Sequence, residues 1–259
     1  MASFWEILRM ESGEQLDDMH TYVSQPDAPG VRPAVIVVQE IFGVSPHIQA
    51  IADRFASEGY FAVAPAMFHR YNNSESVRGT NPIFGYGEED VPERNKARDQ
   101  VTNDSIVQDI DTTIDWLKRH PRVDGENIGI VGFCFGGRVV YLASSSCPGI
   151  KAGSMFYGGN IMRASGDGPS AFERTANISC PVMGNFGEED QNPSPEDVSK
   201  IEAELQKHGK VYDFKTYPGA GHGFYCDERA SYLKDAAEDA FARTLDWFQK
   251  HMSRVAAAA

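Results

Sequence analysis

A chain of 259 residues with 41% apolar and 24% charged residues has an ordinary globular composition and enough length for a large buried core. Its formal net charge of -13 argues against a nucleic-acid or anionic-membrane partner; no apolar run approaches membrane-spanning length, and the start MASFWEILRMESGEQ lacks the pattern of an export leader. The four cysteines, Cys134, Cys147, Cys180 and Cys226, show no metal-binding spacing and read as reduced thiols of a cytoplasmic protein.

In chain order, the residues before Arg32 read as a short antiparallel edge, with Thr21-Tyr22-Val23 a strand and Gln25 to Gly30 a turn. Pro33 to Gln39 is a continuous apolar run, the mark of a strand buried on both faces. Glu40-Ile41-Phe42-Gly43 follows at its C-terminal end, where open α/β sheets hold ligands. Ser45 or a neighbour caps a helix with Ile48, Ile51, Ala52 and Phe55 on one face, ending at Gly59, and Tyr60 to Pro65 is the next strand. From His69 to Asn103 the rhythm breaks into a polar stretch containing Arg70, Arg78, Arg94 and Arg98, an excursion of the kind that forms functional loops or a lid.

Ile106, Ile110, Ile114 and Leu117 then line a helix that ends near Pro121. Further strands are expected within Asn127 to Val131, Ala152 to Tyr157, Pro181 to Gly187 and Val211 to Tyr217. Val198, Ile201 and Leu205 mark a helix stopped by Gly209; the last helix, Tyr232 to His251, is expected to bury Ala236, Ala240, Leu245 and Phe248. Strands alternating with helices define the α/β class, with a mostly parallel sheet and helices on both faces. No repeat or linker divides residues 1–259, which read as one domain, and Ala256 to Ala259 read as a frayed tail.

The stretch Asn127 to Val139, NIGIVGFCFGGRV, turns sharply from a β-branched run into a helical pattern. A reactive side chain at such a strand-to-helix turn stands on strained backbone and needs small residues two positions before and after it, here Gly132 and Gly136. The pattern is a nucleophile elbow written with cysteine, and the positive end of the following helix favours a thiolate at Cys134. The plainer alternative is a buried cysteine beside glycines that let a helix pack closely.

A thiol attacking a carbonyl needs a base, and the base an orienting acid. Of seven histidines, His222 alone is flanked by glycines directly after a strand; His47, His120, His208 and His251 read as surface residues at helix ends or on helices, and His20 and His69 lack a distinguishing context. Gly187-Glu188-Glu189-Asp190 follows an apolar strand, with Asp190 favoured as the acid and the two glutamates as a solvated turn. The order Cys134, Asp190, His222 is that of the α/β-hydrolase fold.

Five stretches resemble the dienelactone hydrolases, or carboxymethylenebutenolidases: QEIFG at Gln39, GFCFGG at Gly132, YGG at Tyr157, FGEEDQNPSPEDV at Phe186 and YPGAGHGFYCDERASY at Tyr217. They span nearly the whole chain in order. The resemblance implies a Cys134, Asp190 and His222 triad, with Glu40 touching the thiol and taking its proton when substrate arrives, and Ile41 and Phe135 N–H groups as the oxyanion hole. Tyr157 joins the substrate-binding candidates. Family members hold an anionic lactone with two arginines. Where the second is expected this chain has Cys226, which leaves Arg229 for that place and Arg94 or Arg98 for the first.

These readings lead to a cysteine hydrolase of small lactones or esters, needing neither metal nor organic cofactor, with a small molecule as partner and a monomer or homodimer as the assembly. The alternatives are a carboxylesterase or thioesterase acting on neutral acyl compounds, a noncatalytic binding protein on the same scaffold, and a redox-sensing thiol.

Overall fold

The apolar runs become strands of a mostly parallel sheet in a computed structural model that describes residues 1–10, 18–71, 81–165 and 168–252. Eight strands follow the order β1-β2-β4-β3-β5-β6-β7-β8: β1 Ala2–Leu8, β2 Met19–Gln25, β3 Arg32–Val38, β4 Phe61–Pro65, β5 Val123–Phe133, β6 Ile150–Phe156, β7 Val182–Gly187 and β8 Tyr212–Tyr217. The antiparallel edge falls at β1, β2 and β4, whereas β3 with β4, β6 with β7 and β7 with β8 run parallel. The helices are α1 Pro46–Ser57, α2 Val91–Asp99, α3 Asn103–Arg119, α4 Phe135–Ser146, α5 Pro195–Lys207 and α6 Lys234–His251. None of the described helices is long and apolar enough to cross a membrane. Arg78 and the Ala256 to Ala259 tail lie outside the described residues.

Contacts divide the chain into two compact units, Met1–Ile128 and Gly129–Ser253. In the first, β3 and β4 supply fully buried Val35, Ile36, Val37, Ala62 and Val63, as strands covered on both faces require. Arg122 fixes the predicted Gln25 to Gly30 turn by donating to the side chain of Gln25 and to the carbonyls of Pro26 and Ala28. Thr102 and Ser105 close a capping box at the start of α3, each side chain accepting from the other's backbone N–H. One histidine differs from expectation, since His47 is buried; His69, which had no distinguishing context, is buried against Asp109 at 3.2 Å, with Arg70 closing the cluster. The sequence around His69 gave no sign of this, because Asp109 is 40 positions away.

In the second unit, α6 packs its apolar face inward, and Thr244 hydrogen-bonds Ser154 of β6 at 2.9 Å. Leu245, expected in that face, is half-buried; Thr244 and Trp247 take the covered positions. The rest of the predicted face stands, with Ala236, Ala240 and Phe248 buried, and Ala237 and Phe241 widen it.

Candidate active site

Strand β5 ends at Phe133 and α4 begins at Phe135, so Cys134 is the single residue of the elbow. Its φ of 54° with ψ of -113° is a conformation an L-residue adopts only when its surroundings enforce it. The enforcement is visible in the glycines. A Cβ on Gly132 would lie 2.1 Å from the Gly136 carbonyl oxygen, and one on Gly137 would lie 2.6 Å from the Cα of Gly158. The Cys134 N–H donates to the Phe156 carbonyl at 3.0 Å, which ties the elbow to β6. Cys134 is half-buried and occupies the N-cap position of α4, where the helix dipole favours negative charge.

Asp190 and His222 come from the loops after β7 and β8. Asp190 is 2% exposed, and its Oδ2 lies 2.9 Å from His222 Nδ1, which leaves Nε2 for the hydrogen bond that His222 makes to Cys134. The pKa of His222 is pushed up to about 10. Burial acts strongly to lower it, but the charge on Cys134, the hydrogen bonds to Asp190 and Cys134, and the charge of Asp190 together outweigh that effect. Glu188 and Glu189 are exposed, and Glu188 accepts from the Gly219 N–H at 3.1 Å, as a solvated turn would have it.

Asn192 is a participant that sequence reasoning missed. Its backbone N–H donates to Asp190 Oδ1 at 2.8 Å, and its side-chain oxygen accepts from the Asn160 N–H at 2.9 Å. Asp190 thus has one oxygen for the histidine and one for its own loop. The signal was present in Asp190-Gln191-Asn192, the spacing at which an aspartate bonds the backbone two residues on.

Tyr157 is fully buried with φ 39°, its N–H donating to the Asn185 carbonyl at 2.8 Å and its ring centroid 5.2 Å from that of His222. Successive bonds from Cys226 N–H to Gly223 and from Arg229 N–H to Cys226 fold the chain back after His222. This brings the Arg229 guanidinium so near Gly223 that a Cβ there would lie 2.2 Å from Nη1. Glu40, Ile41, Arg94 and Arg98 belong to the first unit. Glu40 is 1% exposed just past β3, Arg94 donates to the carbonyls of Gly85 and Gly87, and Arg98 pairs with Asp99 at 2.7 Å. A hollow of 250 Å³ in the second unit is lined by Asn160, Ile161, Arg163, Asn192 and Pro193 among others, but by neither Cys134 nor His222.

The architecture is that of an α/β-hydrolase. A family model described as the dienelactone hydrolase family matches residues 19–252. A Synechocystis protein provisionally named carboxymethylenebutenolidase is 39% identical over 234 residues, covering 89% of this chain and 91% of its own. A crystal structure from Klebsiella pneumoniae, provisionally described as a dienelactone hydrolase, superposes with TM-score 0.84 at 31% identity, covering 95% of this chain and 98% of that one. The chain belongs to the dienelactone hydrolase family and is a hydrolase of that type. A promiscuous phosphotriesterase from metagenomic libraries, described as dienelactone hydrolase-like, shares the fold at 19% identity and TM-score 0.76, covering 98% of this chain and all of that one.

Proposed function

We propose that this enzyme cleaves a small lactone or ester, most naturally a dienelactone-type substrate, through a thioester on Cys134. The observation that carries this reading is the hydrogen-bonded arrangement of Asp190, His222 and the half-buried Cys134 at its positive-φ elbow. The Cys134 sulfur attacks the carbonyl carbon, and the developing oxyanion takes hydrogen bonds from the Phe135 and Ile41 N–H groups. As the carbon–oxygen ring bond breaks, a dienelactone releases an enolate tethered to its own acyl chain, which takes the proton from His222 and becomes a ketone. Acylation cancels the negative charge at sulfur, and with it a main cause of the raised His222 pKa. His222 then becomes a base able to take a proton from water. The resulting hydroxide equivalent attacks the thioester, the carbon–sulfur bond breaks, and the sulfur leaves as thiolate. Glu40, buried just past β3, is assigned the role of accepting the Cys134 proton in the fraction of enzyme whose sulfur is still a thiol when substrate arrives; in the thiolate form His222 holds that proton.

Arg229, folded back onto Gly223 beside His222, is the best-supported partner for a substrate carboxylate. Cys226 in place of an arginine favours a second reading, hydrolysis of neutral acyl esters or thioesters. Turnover of a dienelactone and of a neutral aryl ester by wild type, Cys134→Ala and Arg229→Ala separates the two. The lactone reading requires preference for the dienelactone, loss of turnover in Cys134→Ala, and a KM increase in Arg229→Ala confined to the anionic substrate. Preference for the neutral ester with Arg229→Ala silent supports the second reading, and an acyl-enzyme seen by mass spectrometry excludes a mere binding protein.

A further inference from the structure

The turn that carries Glu40 and Ile41 is closed by its own backbone, the Ser45 N–H donating to the Gly43 carbonyl at 2.8 Å, and is braced by a second segment. Within it the Gly43 N–H reaches the Glu40 carbonyl only at 3.4 Å, and Gly43 sits at φ 84°. The chain from residue 81 to 94, in the second half of the long polar excursion, is that segment. The Asn81 carboxamide meets Val44 as a strand partner would, Oδ1 accepting from its N–H and Nδ2 donating to its carbonyl, both at 3.2 Å. Reversing the amide would set donor against donor and acceptor against acceptor, so its orientation is fixed by both bonds at once. Two residues back, the Phe42 carbonyl accepts from the Phe84 N–H at 3.1 Å. Between them a Cβ on Gly43 would lie 2.2 Å from the Pro82 carbonyl oxygen, so the two segments touch along their backbones.

Arg94 completes the brace. Its guanidinium lies 5.2 Å from the Phe42 ring centroid, and Nη1 donates to the carbonyls of Gly85 at 3.0 Å and Gly87 at 3.1 Å. Tyr86, between those glycines, packs edge-on against the same Phe42 ring at 4.5 Å. Arg94 therefore spends its charge and planarity holding residues 85–87 and Phe42 together.

We propose that Asn81 and Arg94 are positioning residues that aim the Ile41 N–H, and with it the Glu40 carboxylate, for the hydrolytic step. The inference rests on the proposed role of Ile41 as oxyanion donor, and it replaces the reading of Arg94 as a clamp for substrate carboxylate. An oxyanion donor acts only at the transition state, so misplacing it lowers kcat and leaves ground-state binding alone.

The test is steady-state hydrolysis of a neutral aryl ester and an anionic dienelactone by wild type, Asn81→Ala, Arg94→Ala and Cys134→Ala, with thermal melts of each. Asn81→Ala is expected to lower kcat about 10- to 100-fold on both substrates with KM changed by less than about 2-fold. Arg94→Ala is expected to lower kcat on both in the same way, and should Asn81→Ala fail to fold, Arg94→Ala decides. A kcat for Asn81→Ala within about 2-fold of wild type overturns the proposal, as does an Arg94→Ala effect confined to KM for the dienelactone. Full turnover by Cys134→Ala overturns the thiol mechanism and this inference with it; loss of turnover there beside a wild-type kcat in Asn81→Ala rejects the positioning role alone.

Discussion

In the proposed mechanism the charge on Cys134 sets whether His222 behaves as an acid or a base, and Asp190 sets how firmly. Asp190 contributes both a hydrogen bond and a negative charge to the raised histidine pKa. Asp190→Asn keeps the shape but removes the charge and offers the wrong tautomer to Nδ1, so kcat is expected to fall about 10²- to 10⁴-fold. The His222 pKa, followed by NMR of the imidazole protons, should drop well below 10. An unchanged histidine titration would show that Asp190 does not couple to the ring. These three residues were legible in the sequence because each follows a strand marked by apolar residues, and flanking glycines or neighbouring acids set each apart. The Asn192 partner of Asp190 was signalled by its spacing of two residues but passed over, whereas the partner of the Glu40 turn was not legible, since Asn81 meets Val44 across 37 positions. No local pattern encodes a side chain bonding to distant backbone.

At the level of elements, what was readable tracked what was buried on one face. Helix α3 showed its Ile106, Ile110, Ile114 and Leu117 stripe, whereas α2 buries only Ala97 and offered no periodicity, so it was read as part of a loop or lid. Strand β1 was missed as a separate element because Phe4, Trp5 and Ile7 are exposed and no inward alternation marks it. The capping box at Thr102 gives α3 a start signal that its stripe alone does not supply. Thr102→Ala removes the acceptor for the Ser105 N–H at 3.1 Å and is expected to destabilise the fold by about 1 kcal/mol. Urea denaturation should show a lower midpoint at unchanged slope, with kcat on the aryl ester untouched. A parallel loss of kcat would mean that the start of α3 also supports the site.

For the whole molecule, the same histidine makes stability depend on pH in a defined direction. The His222 pKa rises from 6.5 to about 10 on folding, so the folded state binds its proton more tightly than the unfolded chain does. The stabilisation is full below about pH 6.5 and is lost as pH climbs through about 10. A chain of net charge -13 becomes more negative as its lysines deprotonate, so self-repulsion also weakens the fold at alkaline pH and a fall in melting temperature alone would be ambiguous. The difference between wild type and His222→Gln removes the common term. Wild type should lose more stability than His222→Gln between about pH 7 and 10, and Cys134→Ala, lacking the charge that does most to raise the pKa, should fall between the two. Parallel curves for all three would mean that the imidazole holds no extra proton in the folded enzyme. The switch from acid to base on acylation would then have to be abandoned, because it requires that proton to be there at the start.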